Sequence, residues 1–201
     1  MILMKNIELM KSLLRTGWIR AGVPKCDIES LADHSWAVSI LTYFFCFEEN
    51  ILRKNQAIKT LINTEKAVLH ALFHDFPESE YMDIDKSLYN LSASNEISEF
   101  LQNIEEGALK RIVDQLNPEI GASLLELIGN QNSAEFRIAR VADHIDVMNQ
   151  SSLYSKKHWI THEQANSFHS YALKELERYM SEFVFLKPYL EREGFLANIG
   201  K

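Results

Sequence analysis

Along the chain, apolar residues recur every three to four positions, and this period predicts helices. Valine and threonine are sparse, and no stretch alternates apolar and polar residues between turn signals, so strands are not expected. Residues 4–15 place Ile7, Leu9, Met10, Leu13 and Leu14 broadly on one side and predict a first amphipathic helix. Arg15-Thr-Gly17-Trp18-Ile-Arg20-Ala-Gly22-Val-Pro24 reads as a loop, because two glycines and a proline interrupt the pattern. A second helix is expected from Ser30 or Asp33 to Leu52. It is apolar nearly all round, which predicts a central position with the cluster Tyr43, Phe44, Phe45 and Phe47 in the core.

Asn63 or Thr64 offers a cap for a third, largely buried helix that runs through His70 and Phe73 until Pro77 breaks it. Residues 88–94 read as a loop, and Ser94 as the cap of a helix to about Leu116 that keeps Ile97, Leu101, Ile104, Ala108 and Ile112 at helical spacing. Asn117-Pro118 is an N-cap followed by proline at the first helical position, opening a short helix to about Ile128 that Gly129 ends. Ser133 or Asn132 caps the next, from Ala134 to about Ser152. Thr161-His-Glu-Gln164 fits a capping box for a last helix to about Phe183, and Pro188 and Gly194 punctuate a loose tail. No internal repeat, low-complexity run or linker interrupts the series, so the 201 residues are expected to form a single all-α domain, a compact multi-helix bundle.

Composition narrows the function classes. A formal charge of -7 disfavours a general binder of nucleic-acid backbones, which needs clustered Lys and Arg. No run approaches the roughly 18 apolar residues that suggest a membrane span. Cys26 and Cys46 lack a CxxC spacing and fit a reduced, cytoplasmic setting. A small anionic substrate remains compatible with this charge if a local cationic pocket or a metal receives it.

The residues that could do chemistry crowd at His70-Ala-Leu-Phe-His74-Asp75-Phe-Pro77-Glu78-Ser-Glu80-Tyr-Met-Asp83. A lone helical histidine is more often a hydrogen-bonded core residue than a ligand, and His74-Asp75 alone is a common dipeptide. The set weighs more: His34 on one buried helix, His74 and Asp75 at the end of a second, and Asp143 on an apolar helix much later. Carboxylates on buried stripes are costly unless paired or metal-bound. Two imidazoles and two carboxylates suit one divalent transition ion such as manganese, iron, cobalt or zinc. Asp146, one turn beyond Asp143, is the alternative ligand. His70 reads as a packing residue before a second-metal ligand, His144 as a possible bridge to another ion, and His158 with His162 as a solvated pair.

His34, His74-Asp75 and Asp143 together form the H…HD…D pattern, and the chain resembles the HD-domain metal-dependent phosphohydrolases. Arg15-Thr-Gly-Trp-Ile-Arg20 before Ala32-Asp33-His34-Ser35, the run His74-Asp75-Phe-Pro-Glu78 with Asp83-Ile84, and Ala142-Asp143-His-Ile-Asp-Val-Met are similar to the HD-domain 5′-deoxynucleotidases over about residues 10–150. The resemblance implies an HD-domain fold in which His34, His74, Asp75 and Asp143 hold the metal. It makes Glu78 and Asp83 the catalytic carboxylates, sharing the orientation of water and protonation of the leaving 5′-oxygen. Arg15, with Arg20, would grip the substrate phosphate and Trp18 the sugar, while Glu105 falls where the family has a further helix acid. Met82 stands where the family has glycine before the acid. The implied activity is hydrolysis of (deoxy)nucleoside 5′-monophosphates by a homodimer. Two alternatives are an HD phosphohydrolase for a nucleotide diester or polyphosphate and a binding module stabilised by a structural ion.

Overall fold

The computed structural model describes residues 2–84 and 96–196; the expected loop at 88–94 and the cap at Ser94 lie outside them. The fold is all-α. The described elements are α1 (Ile2–Ser12), α2 (Thr16–Ala21), α3 (Leu31–Asn55), α4 (Thr64–Phe73), α5 (Glu96–Val113), α6 (Pro118–Gly129), α7 (Ala134–Lys156), α8 (His162–Glu177) and α9 (Leu186–Arg192), with 3-10 turns at Lys25–Asp27 and Phe76–Glu80. Local capping explains most of the starts. Asn63 accepts from the Lys66 N–H, Asn117 from Glu119, Ser133 from Phe136, and Thr161 and Gln164 cap each other's backbone reciprocally. Among the described residues, no helix is long and apolar enough to cross a membrane.

The chain divides into two units, Met1–Trp36 with Leu72–Asn130, and Ala37–Ala71 with Gln131–Lys201. In the first, Met10, Leu31, Phe76, Leu109, Ile112 and Leu124 form the apolar centre. A Cβ on Gly121 of α6 would stand 2.9 Å from Val113 Cγ1 at the end of α5, so glycine permits this close approach. Asn6 of α1 donates to Ser79 Oγ and Glu80 Oε1, both at 2.8 Å, and so ties the first helix to the 3-10 turn. Residues 16–21, expected as loop, form α2. Gly22 closes it at φ 90° and donates to Ile19 and Trp18 carbonyls, a left-handed cap that glycine adopts without Cβ strain.

The second unit packs Val38, Phe45, Ile138, Ile145, Met148, Leu176, Phe183, Phe185 and Leu190 into one core. Two expectations change here. Tyr43, Phe44 and Phe47 are exposed, and of the expected aromatic cluster only Phe45 enters the core. The other face of α3 already carries enough small and apolar residues (Val38, Cys46) to face the core, so the aromatics fall outside it. The C-terminal part is also not a loose tail. α8 stops at Glu177, and Tyr179, Phe183 and Phe185 turn inward before α9, whose Pro188 lies in the first turn, where no helical N–H is lost. Buried Glu49 accepts from Arg53 Nε at 2.6 Å and from the Phe185 N–H at 3.0 Å, while Arg137 grips both Glu182 carboxylate oxygens. These charge-assisted bonds satisfy groups that would be costly to bury alone.

Candidate metal and phosphate site

Ser30 and Asp33 open α3 with a reciprocal cap. Ser30 Oγ accepts from the Asp33 N–H at 3.1 Å, and Asp33 Oδ2 accepts from the Ser30 N–H at 2.9 Å. His34, fully buried, follows directly in the first turn. α4 ends at Phe73, and Asp75 leaves the helix at φ -101°, ψ 6°. Pro77 is the second residue of the 3-10 turn, in which the Glu78 N–H donates to the Asp75 carbonyl at 3.0 Å. The helix therefore ends before the HD pair and ahead of Pro77, where the break was expected, and the 3-10 turn brings the Glu78 backbone back to Asp75.

Within the first unit, four predicted site residues meet. The His34 and His74 rings lie 5.3 Å apart between centroids, with ring nitrogens within 4.8 Å of each other. Asp75 Oδ2 is 3.2 Å from His74 Nε2 and 3.7 Å from His34 Nε2. Arg15 Nη1 donates to the same oxygen at 2.9 Å. Burial opposes the charge on Asp75, but His74, Arg15 and His34 outweigh it and hold its pKa well below the usual carboxylate range. Two imidazole nitrogens and a carboxylate oxygen presented this closely fit a divalent transition ion.

The backbone on both sides of Arg15 is fixed. Its N–H donates to the Glu29 carbonyl at 3.2 Å beside the isolated bridge Leu14–Ser30, and Thr16 begins α2. Asp83 Oδ2 accepts from the Thr16 N–H and, at 2.9 Å, from the Thr16 hydroxyl. Sequence reasoning did not single out Thr16, because the contact joins residues far apart in the chain. Trp18 is 2% exposed and donates its indole N–H to Glu29 at 2.7 Å; Arg20 is exposed in the last turn of α2. Glu78 Oε2 is shielded from solvent, and Glu105 is half-buried on α5.

The remaining candidates lie in the second unit. Asp143, His144 and Asp146 are buried on α7, and Arg140 Nη1 contacts Asp143 Oδ2 at 2.7 Å. That i, i+3 pairing was readable from the sequence. His70 is buried, with Nε2 3.5 Å from Ser133 Oγ and its ring edge against Phe136. His158 sits in the turn after α7 at φ 60°, and His162 opens α8 with Nδ1 3.1 Å from Ser155 Oγ; both are exposed.

A family model described as HD domain matches residues 7–183. The chain belongs to the HD-domain family. Over 78 residues, 39% of this chain, it is 35% identical to the 5′-deoxynucleotidase YGK1 of Saccharomyces cerevisiae, and it spans 30% of that protein's length. A solved structure from Pyrococcus horikoshii OT3 is 26% identical with a TM-score of 0.68, covering 96% of this chain and 95% of its own. An HD-domain phosphohydrolase from Listeria innocua, 20% identical, reaches a TM-score of 0.75 over 98% of this chain and 89% of its own, and shares the fold.

Proposed function

We propose that the chain is a metal-dependent phosphohydrolase that converts (deoxy)nucleoside 5′-monophosphates to nucleoside and inorganic phosphate. The observation that carries this reading is the meeting of His34, His74 and Asp75 with the Arg15 guanidinium, cation ligands beside a fixed positive charge. Membership of the HD-domain family supports the hydrolase class, and the partial likeness to a 5′-deoxynucleotidase supports the nucleotide. His34, His74 and Asp75 would hold a divalent ion that when bound would supply Lewis-acid activation of water and charge neutralisation at phosphorus. Arg15, with Arg20 as a second cation, binds the phosphoryl oxygens on which charge develops in the transition state. Glu78, beside the HD pair but outside the ligand set, moves the proton between water and the leaving 5′-oxygen.

Phosphate release from a panel of nucleoside monophosphates, cyclic and linear diesters and polyphosphates tests the reading, with metal-loaded and chelator-treated protein in parallel. The expected result is metal-dependent release from 5′-monophosphates. Turnover confined to diesters or polyphosphates, or none at all, overturns it. Asp75→Ala is expected to lose bound metal on purification, and full metal content in the variant removes Asp75 from the ligand set. Glu78→Gln is expected to keep its metal and lose about a hundred- to ten-thousand-fold in turnover. A loss within about threefold is too small for an acid–base group.

A further inference from the structure

We propose that Asp83 is a positioning residue that caps α2 from a distance and thereby holds Arg15 at the phosphate, rather than transferring a proton itself. The inference rests on the phosphohydrolase reading and adds a role that the resemblance does not assign. A helix N-terminus exposes backbone N–H groups that need acceptors. The residue at the cap position of α2 is Arg15, at φ -62°, ψ 114°, and it makes no side-chain cap. A guanidinium has only donors and cannot cap. The missing acceptor comes from Asp83, 67 positions later in the chain, whose Oδ2 takes both the Thr16 N–H and the Thr16 hydroxyl.

This contact fixes the peptide that follows Arg15, and the Glu29 carbonyl fixes the Arg15 N–H on the other side. With both flanks held, the guanidinium is aimed at the Asp75 end of the site, where Nη1 already reaches Oδ2 at 2.9 Å. The chain takes an uncommon route to deliver Asp83. Met82 adopts φ 77° after its N–H closes on the Glu78 carbonyl at 2.8 Å. A non-glycine residue persists there only where its surroundings over-determine the turn. Oδ2 is occupied by two donors, which suits a clamp on the start of α2.

The test uses full-length, metal-loaded protein carrying Asp83→Asn, Asp83→Ala, Thr16→Val, Arg15→Ala, or Arg15→Ala with Asp83→Ala. The readouts are kcat, KM, the pH profile of kcat, and the affinity for inorganic phosphate by calorimetry. Asp83→Ala is expected to weaken KM and phosphate affinity together by about tenfold or more, with kcat within about threefold, since misplacing a binding group can cost about a hundredfold. Asp83→Asn, which keeps an acceptor oxygen, is expected to recover most of the loss, and Thr16→Val to show a smaller loss in the same direction. The double variant is expected to bind phosphate no worse than Arg15→Ala alone, because both act through one group. A hundredfold fall in kcat for Asp83→Asn, or a lost limb of its pH profile, identifies a proton-transfer group and overturns the inference. Unchanged phosphate affinity in Asp83→Asn, Asp83→Ala and Thr16→Val also overturns it. If the wild type cleaves no nucleotide, the functional reading fails, while the calorimetric comparison still decides whether Asp83 holds an anion-binding Arg15.

Discussion

Met82 shows how one residue can carry strain that its neighbours require. At φ 77° the Cβ of an L-residue crowds its own backbone, at about 1–2 kcal/mol. Its side chain is 59% exposed and gains little from packing in return. The glycine that the resembled family places before its acid fits this geometry, and the methionine here keeps the turn without the freedom. Met82→Gly removes the strain but adds freedom to the unfolded chain, worth about 0.5–1 kcal/mol in the opposite sense. The expected net effect is a urea midpoint unchanged or raised, by up to about 1 kcal/mol of stability. A loss of more than about 1 kcal/mol would mean that the methionine side chain itself holds the turn. The HD pair illustrates the opposite case, since His74 and Asp75 are useful only where Phe73 ends α4 and both side chains leave the helical pattern.

At the scale of the element, the helices whose starts were legible are those with complete local caps. Thr161 and Gln164 form such a box, and α8 begins at the next residue, His162. Thr161→Ala removes one acceptor and is expected to cost about 1 kcal/mol in denaturant unfolding, with Thr161→Ser restoring most of it. A cost below about 0.3 kcal/mol would show that packing of Ala165, Ala172 and Leu176 defines the helix without its cap. α2 was missed because its cap is not local: the acceptor for Thr16 belongs to Asp83. The buried face of α3 was misread for a related reason. Its exposed positions between Trp36 and Ile51 are Trp36, Ile40, Tyr43, Phe44, Phe47 and Ile51, so hydrophobicity all round could not show which stripe meets the core.

At the scale of the whole molecule, acid sensitivity follows from His70, which is held neutral in the interior. Burial, with help from Lys66, lowers the pKa of His70, while Glu135 acts against the shift. The unfolded chain therefore takes up a proton near the ordinary value of about 6.5 that the folded chain resists. The stability contributed by neutral His70 is complete above that pH and is lost as the pH falls toward the folded-state value. We expect urea midpoints to fall between about pH 7.5 and 5.5, and His70→Gln to flatten the slope by at most about 1.4 kcal/mol per pH unit. An identical slope in the variant would assign the acid sensitivity to other groups. The sequence by itself determined the helical class and most helix starts, because the 3.6-residue period and the caps act within a few positions. The tertiary structure alone decided that Asp83 caps α2, that Met82 turns left-handed, and that Glu49, Arg53, Arg137 and Glu182 secure the C-terminal segment. The Asp83 cap and the bonds from Glu49 to Phe185 and from Arg137 to Glu182 depend on an acceptor or a charge brought from a distant part of the chain, where no local pattern in the sequence records it.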